Sequence, residues 1–223
     1  MPRSPRRSLW TEAACYHVMN RGQNRATLFV EDADFSYFLG LLGRYSRRFE
    51  VCLYHYCLLS NHFHLLLQLP RPRQLSQMMA GMLVAYVRYV QRRYNFVGHV
   101  FQGRFKSPAV DAETYLLSCG RYIERNPVTA GLTAEPWTYR WSSCRAYALG
   151  ESDALLTSNP WYEQLSIERA RRQELWRQFL LGEDPKEEAL HASEWAIGDE
   201  DFRRRLQRPA GRSVPRDRGR PPQ

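Results

Sequence analysis

One stretch, residues 54–69, limits what this chain can become more than any other. Tyr54-His55-Tyr56-Cys57-Leu58-Leu59 and His62-Phe63-His64-Leu65-Leu66-Leu67-Gln68-Leu69 are rich in aromatic and apolar residues and flank the pair Ser60-Asn61. Serine and asparagine satisfy backbone groups locally and favour turns, so the two runs predict a β-hairpin over residues 51–69. Side chains alternate along a strand, which sends His62 and His64 to one side and Phe63 to the other. Two imidazoles side by side on a rigid strand are either half of a divalent-metal site or ordinary polar residues on a sheet face.

The flanking segments supply partners for that hairpin. Residues 13–20 suit a first strand, ended by Arg21-Gly22. Glu31, Asp32 or Asp34 can cap a helix whose apolar positions Phe35, Phe38, Leu42, Tyr45 and Phe49 recur at three and four and share one face. Pro70 and Pro72 break the hairpin, and Leu75, Met78, Met82, Tyr86, Tyr89 and Val90 mark a second amphipathic helix with Arg88, Arg92 and Arg93 on its outer side. Its methionine and aromatic stripe reads as core. Residues 99–106 fit a fourth strand with Gln102, Arg104 and Lys106 on one face, and Asp111 can cap a third helix that Pro127 stops near Asn126. The order predicts an α+β chain with a ferredoxin-like βαββαβ core, an antiparallel four-stranded sheet with helices, followed by a trailing helix.

Residues 10–150 form that domain, and the aromatic segment Trp137-Thr138-Tyr139-Arg140-Trp141 is expected to fold back on it. Residues 151–202 read as a helical extension, with a helix over 166–181 whose apolar positions are Ile167, Ala170, Leu175, Trp176 and Phe179. Residues 203–223 hold eight arginines and one acidic residue, the composition of a disordered basic arm.

Charge narrows the partners. The 223 residues carry a net charge of +9, and because Lys106 and Lys186 are the only lysines, almost all the positive charge is arginine. The planar guanidinium fork suits phosphate, which favours a polyanion, although a bias toward arginine codons would give the same enrichment. The five cysteines form no close CxxC pair and lie among apolar residues, as reduced core thiols of a cytoplasmic protein would. No apolar run is long enough to span a bilayer, and the basic N-terminus lacks the apolar core of a signal peptide.

The third helix contains Tyr122-Ile123-Glu124-Arg125-Asn126. Residues four apart share a helical face, so Tyr122 and Asn126 can address one point, while Leu116, Cys119 and Ile123 pack the helix inward. Placed across the sheet, that face would present a phenol to His62 and His64, with the Asn126 amide oxygen as third ligand of a divalent metal. A tyrosine beside such a metal can attack a phosphodiester and hold the cut end covalently. Tyr115 lies near the same face and is the rival nucleophile, but Cys119 stands where an amide would be needed. The plainer alternative is a core tyrosine, one of 13, beside an ordinary Asn-Pro helix stop.

In this combination the chain resembles the REP-associated tyrosine transposases, a branch of the single-tyrosine HUH transposases. The matching residues are His62-Phe63-His64, Arg104-Phe105-Lys106, the run from Tyr122 through Asn126-Pro127-Val128 to Ala130-Gly131-Leu132, and Trp137 with Trp141-Ser142-Ser143. The resemblance spans roughly residues 10–150. It implies an enzyme that cuts and rejoins single-stranded DNA beside palindromic hairpins, with Mg²⁺ or Mn²⁺ on His62 and His64. It also implies that Tyr122 forms a 5′-phosphotyrosine and releases a 3′-OH, as a monomer or a homodimer acting at the nucleoid. The related insertion-sequence enzymes carry glutamine where Asn126 stands. Arg21, Arg25, Arg104 and Lys106 are the candidate phosphate contacts. The competing classes are a non-catalytic DNA-hairpin binder, serving as repressor or architectural protein, and a metal-dependent phosphodiester hydrolase that uses activated water.

Overall fold

The computed structural model describes residues 15–191 and 196–207. Residues 13 and 14 of the expected first strand, the basic N-terminus and the arginine-rich stretch from 208 lie outside them.

The hairpin forms as expected. Strands β2 (Cys52–Leu59) and β3 (His62–Gln68) pair antiparallel across the turn at Ser60 and Asn61. The turn is held from outside: the Ser60 carbonyl accepts from the N–H groups of Leu28 and Phe29 at 2.7 and 3.0 Å, and the Asn61 carbonyl accepts from Gly22 at 2.9 Å. Strand β1 (Cys15–Arg21) pairs antiparallel with the other edge of β3 and places Met19 opposite His64 and Arg21 opposite His62. With β4 (Ala109–Val110) the sheet order is β2-β3-β1-β4, the ferredoxin-like arrangement, and β5 (Ala196–Ile197) adds a fifth, parallel strand beside β4. The extension expected to be helical therefore also closes the sheet edge.

The fourth strand differs from expectation. Residues 99–106 alternate in sequence as a strand should, yet their backbone meets β1 and its end at the isolated bridges Gly22–Phe101 and Met19–Lys106, with bends between them. The Asn20 side chain donates to the Gly103 carbonyl at 3.2 Å, so a side chain takes a place that a ladder bond would fill. Regular pairing resumes at Ala109.

Two helices cover one face of the sheet. Helix α1 (Asp32–Phe49) starts at a reciprocal cap between Glu31 and Asp34 and ends at left-handed Glu50. Helix α2 (Leu75–Tyr94) buries Leu75, Met78, Met79, Met82 and Tyr86, so the methionine stripe is core as read. Against them the strands turn Tyr16, Val18, Phe63, Leu65 and Leu67.

The opposite face receives α3 (Ala112–Thr129), whose Leu116, Cys119 and Ile123 meet Cys15, Cys57, Leu59 and Leu66. Asp111 caps it as expected, accepting from the Glu113 N–H at 3.2 Å. Pro127, expected to stop this helix, lies inside it. Proline cannot donate to the carbonyl one turn back, that of Ile123; the Asn126 side-chain amide lies 3.5 Å from it and donates to the adjacent Tyr122 carbonyl at 2.7 Å.

The C-terminal part wraps behind α3. The segment from Trp137 folds back as expected: Trp141 stacks on Phe35 with ring centres 4.7 Å apart, and its carbonyl accepts from Leu58 at 2.9 Å. Helices α4 (Cys144–Leu149), α5 (Pro160–Glu163), α6 (Arg169–Leu181) and α7 (Glu187–His191) follow, then α8 (Glu200–Gln207) after β5. Helix α6 buries Trp176 and Leu180, whereas Ile167, expected on its apolar face, precedes the helix and is 98% exposed. Residues 203–207, assigned from composition to a disordered arm, belong to α8. All five cysteines are free thiols. Among the described residues no helix is long and apolar enough to cross a membrane.

Candidate active site

Strand alternation and the β1–β3 register set the site. His62 and His64 leave β3 on the α3 side, and Arg21, Met19 and His17 leave β1 on the same side. The two expected histidines meet at right angles, ring centres 5.1 Å apart. The Tyr122 ring stands edge-on to His64 at 5.7 Å. Tyr122 is thus the tyrosine that α3 delivers to the histidines. Tyr115 lies further back on the helix, with Lys186 Nζ 5.6 Å from its ring centre.

Asn126 joins the pair. Its amide nitrogen is committed to the helix carbonyls, and a hydrogen bond with Asn126 stabilises the protonated form of His62, so the amide oxygen faces that imidazole. His62 is nonetheless a weak base. Burial, with the charge of Arg21 beside it, lowers its pKa to about 4 against the partial offset from Asn126. Its Nδ1 meets the Asn61 side-chain oxygen at 2.6 Å and is the donor there, which turns Nε2 toward the site.

These properties fit a divalent metal. A ligand imidazole must be neutral, and His62 is held neutral through the physiological range. Among the described residues no group of three or more His, Cys, Asp and Glu side chains could hold a metal, and the oxygen-bearing side chain that faces His62 is the Asn126 amide. Two imidazoles and one amide oxygen are a donor set for a divalent metal that leaves positions for phosphate oxygens.

A third histidine was not anticipated. His17 is almost fully buried, its Nε2 lies 2.9 Å from His64 Nδ1, and its ring stacks on His64 at 5.1 Å and meets Tyr122 edge-on at 5.8 Å. With the hydrogen on His64 Nδ1, Nε2 of His64 is the atom able to coordinate a metal, the usual arrangement for an oriented histidine ligand. Only the β1–β3 pairing reveals this, because His17 and His64 are 47 residues apart.

Tyr122 is half-buried, and burial raises its pKa; a neighbouring Cys119 adds to the rise, while a hydrogen bond from Asn126 and the charge of Arg21 act against it. Arg21 therefore acts on both His62 and Tyr122, as a phosphate-binding cation at this site would. Lys106 is paired across from Met19, the strand neighbour of His64. Arg25 and Arg104 are exposed on the adjoining loops.

A ferredoxin-like sheet thus carries two histidines on its third strand and faces them with a tyrosine on the helix across from it. The model of the IS200-like transposase family matches residues 11–126, just over half of the chain, and the chain belongs to that family. Among solved structures it is similar to a REP-associated tyrosine transposase bound to a REP hairpin. The TM-score is 0.56 at 14% identity, covering 71% of this chain and 90% of that one, a likeness of fold. No curated protein matches the chain.

Proposed function

We propose that this transposase is a metal-dependent endonuclease and strand transferase for single-stranded DNA beside a hairpin, working through a 5′-phosphotyrosine on Tyr122. The observation that carries the reading is the meeting of Tyr122 with His62, His64 and Asn126 on one side of the sheet. Hairpin DNA as partner is supported by the solved relative of the same fold, which is bound to a REP hairpin.

Each group has a role. His62, His64 and the Asn126 oxygen would hold Mg²⁺ or Mn²⁺, which would supply charge neutralisation at the phosphate. His17 fixes the orientation of His64. Arg21, with Arg25, Arg104 and Lys106, binds the DNA backbone. Tyr122 Oη attacks phosphorus, the bond from phosphorus to the 3′-oxygen breaks, and the phenol's proton is balanced by the proton gained at the released 3′-OH. A phenol pushed above its ordinary pKa of about 10 is a poor nucleophile by itself, so the chemistry depends on charge neutralisation at the phosphate. The ester exchange conserves bond energy, so a second strand's 3′-OH can reverse it and join the ends without ATP.

The test is single-stranded DNA carrying a REP-like hairpin from repeats near the gene, with Mn²⁺, resolved by denaturing electrophoresis. A covalent adduct that requires the metal supports the proposal. Cleavage without an adduct points to a hydrolase that uses water, and binding of a verified cognate hairpin without cleavage points to a DNA-binding protein.

A further inference from the structure

Behind Tyr122, Glu124 is completely buried. Helical residues two apart point about 200° apart, so Glu124 faces the rear of α3 where Tyr122 and Asn126 face the histidines. Its carboxylate accepts three hydrogen bonds. His55 Nδ1 lies 2.8 Å and Ser143 Oγ 2.6 Å from Oε1, and Trp176 Nε1 lies 2.9 Å from Oε2.

The donors are well defined. Asn159 Oδ1 accepts from the N–H groups of Trp161 and Tyr162, at 3.0 and 3.3 Å, which turns its amide nitrogen to His55 Nε2 at 3.0 Å. His55 Nε2 is therefore an acceptor, and the ring hydrogen sits on Nδ1 toward Glu124. Gly120 makes the approach possible, since a Cβ there would lie 2.6 Å from His55 Nε2. These partners come from β2, the start of α4, the start of α5 and α6. Two arginines extend the attachment: Arg121 Nε donates to the Phe179 carbonyl at 2.7 Å, and Arg121 and Arg125 also reach the Gly182 and Leu180 carbonyls.

We propose that this clasp, Glu124 with His55, Ser143 and Trp176, positions Tyr122 and Asn126 by fixing the rotation of α3, and that the C-terminal extension is thereby part of the catalytic machinery. The inference rests on Tyr122 being the nucleophile. Apolar packing is non-directional and tolerates a turned helix, whereas a buried carboxylate with three donors from three segments is satisfied in one rotation only. The clasp is walled by aromatic rings, with Tyr147 and Trp176 centred 4.5 and 5.6 Å from His55, so a lost donor cannot be replaced by solvent without opening it. Glu124, His55, Ser143 and Trp176 touch no substrate; they are positioning residues.

Glu124→Gln keeps the side-chain shape and replaces one acceptor by a donor, and Ser143→Ala removes one bond with little change in volume. Single-turnover adduct formation is measured at saturating hairpin DNA and Mn²⁺, beside the Kd for the same DNA and hydrogen exchange across α3. The expected result is a rate at least tenfold lower in Glu124→Gln and about threefold lower in Ser143→Ala, with the Kd changed less than twofold. Exchange should quicken in α3 and stay as it was in α1 and α2. Wild-type rates in both variants, or loss of protection throughout the sheet together with weaker DNA binding, would overturn the clasp. If Glu124→Gln does not fold, Ser143→Ala decides by the same readings. An active wild type with equally fast variants contradicts only the clasp, whereas a wild type that forms no adduct removes the nucleophile and the clasp with it.

Discussion

The two faces of the sheet are built on different principles from the same strands. Toward α1 and α2, β3 turns Phe63, Leu65 and Leu67 into an apolar layer that includes Phe38, Met78, Met82 and Tyr86. Polar contacts there serve backbone and capping groups: Tyr86 donates to the Leu28 carbonyl at 2.6 Å, and Asp34, in the cap of α1, accepts from Tyr89 and Tyr94 at 2.8 and 2.7 Å. Toward α3, β3 turns His62 and His64, β2 turns His55, and the helix answers with Tyr122, Glu124 and Asn126. The first face supplies stability by burial, which needs shape and little direction. The second holds buried polar groups that are tolerable only when each meets its partner, and that requirement is what fixes a reactive geometry.

Neighbouring residues on one strand can break this contrast. Phe63→Ala should destabilise the fold by about 3–5 kcal/mol in urea titration, with adduct formation per folded molecule unchanged. His64→Ala should do the reverse. Adduct formation falls about 100-fold, as removal of a ligand or its orienter does elsewhere, and the urea midpoint falls less than in Phe63→Ala, by the cost of leaving His17 without its partner. A His64→Ala protein that unfolds as readily as Phe63→Ala would mean the second face is ordinary core.

Arg21→Ala gives a smaller effect. Hairpin DNA should bind more weakly, with the slope of log affinity against log salt reduced by about 1, the signature of one lost phosphate contact. An unchanged slope would separate Arg21 from the backbone path.

The least effect concerns pH. The folded pKa of His62, about 4, lies below the ordinary value of 6.5, so the unfolded chain takes up a proton that the folded chain refuses. Stability is therefore unaffected above about 6.5 and declines as pH falls toward 4, and His62→Asn should flatten that decline in urea titrations across this range. Partial exposure of the ring keeps the change modest.

Sequence legibility divides along the same line. The first face was readable because its information is local. Spacing of three and four marks α1 and α2, an acidic cap marks the start of α1, and a turn pair marks the hairpin. His62, His64, Tyr122 and Asn126 were readable as a set through spacing on one strand and one helix together with a family resemblance. His17 and the Glu124 clasp were not, because their partners are 19 to 69 residues away and no local pattern pairs them. Two local rules also gave way to tertiary ones. Pro127 did not stop α3, and the Ile123 carbonyl that proline leaves without its backbone donor has the Asn126 side-chain amide within 3.5 Å. Residues 99–106 kept a strand-like alternation but are held to β1 by two bridges and a side-chain bond.

The central claim is that Tyr122 takes the DNA. Trypsin separates the candidates, since cutting after Arg121 and Arg125 isolates Tyr122-Ile123-Glu124-Arg125 from the peptide that holds Tyr115. The decisive measurement is mass spectrometry of the trypsin- and nuclease-treated adduct formed with hairpin DNA and Mn²⁺. The account predicts a nucleotide 5′-phosphate on the Tyr122 peptide and no adduct from Tyr122→Phe. A nucleotide on the Tyr115 peptide, or an adduct that survives Tyr122→Phe, would contradict it.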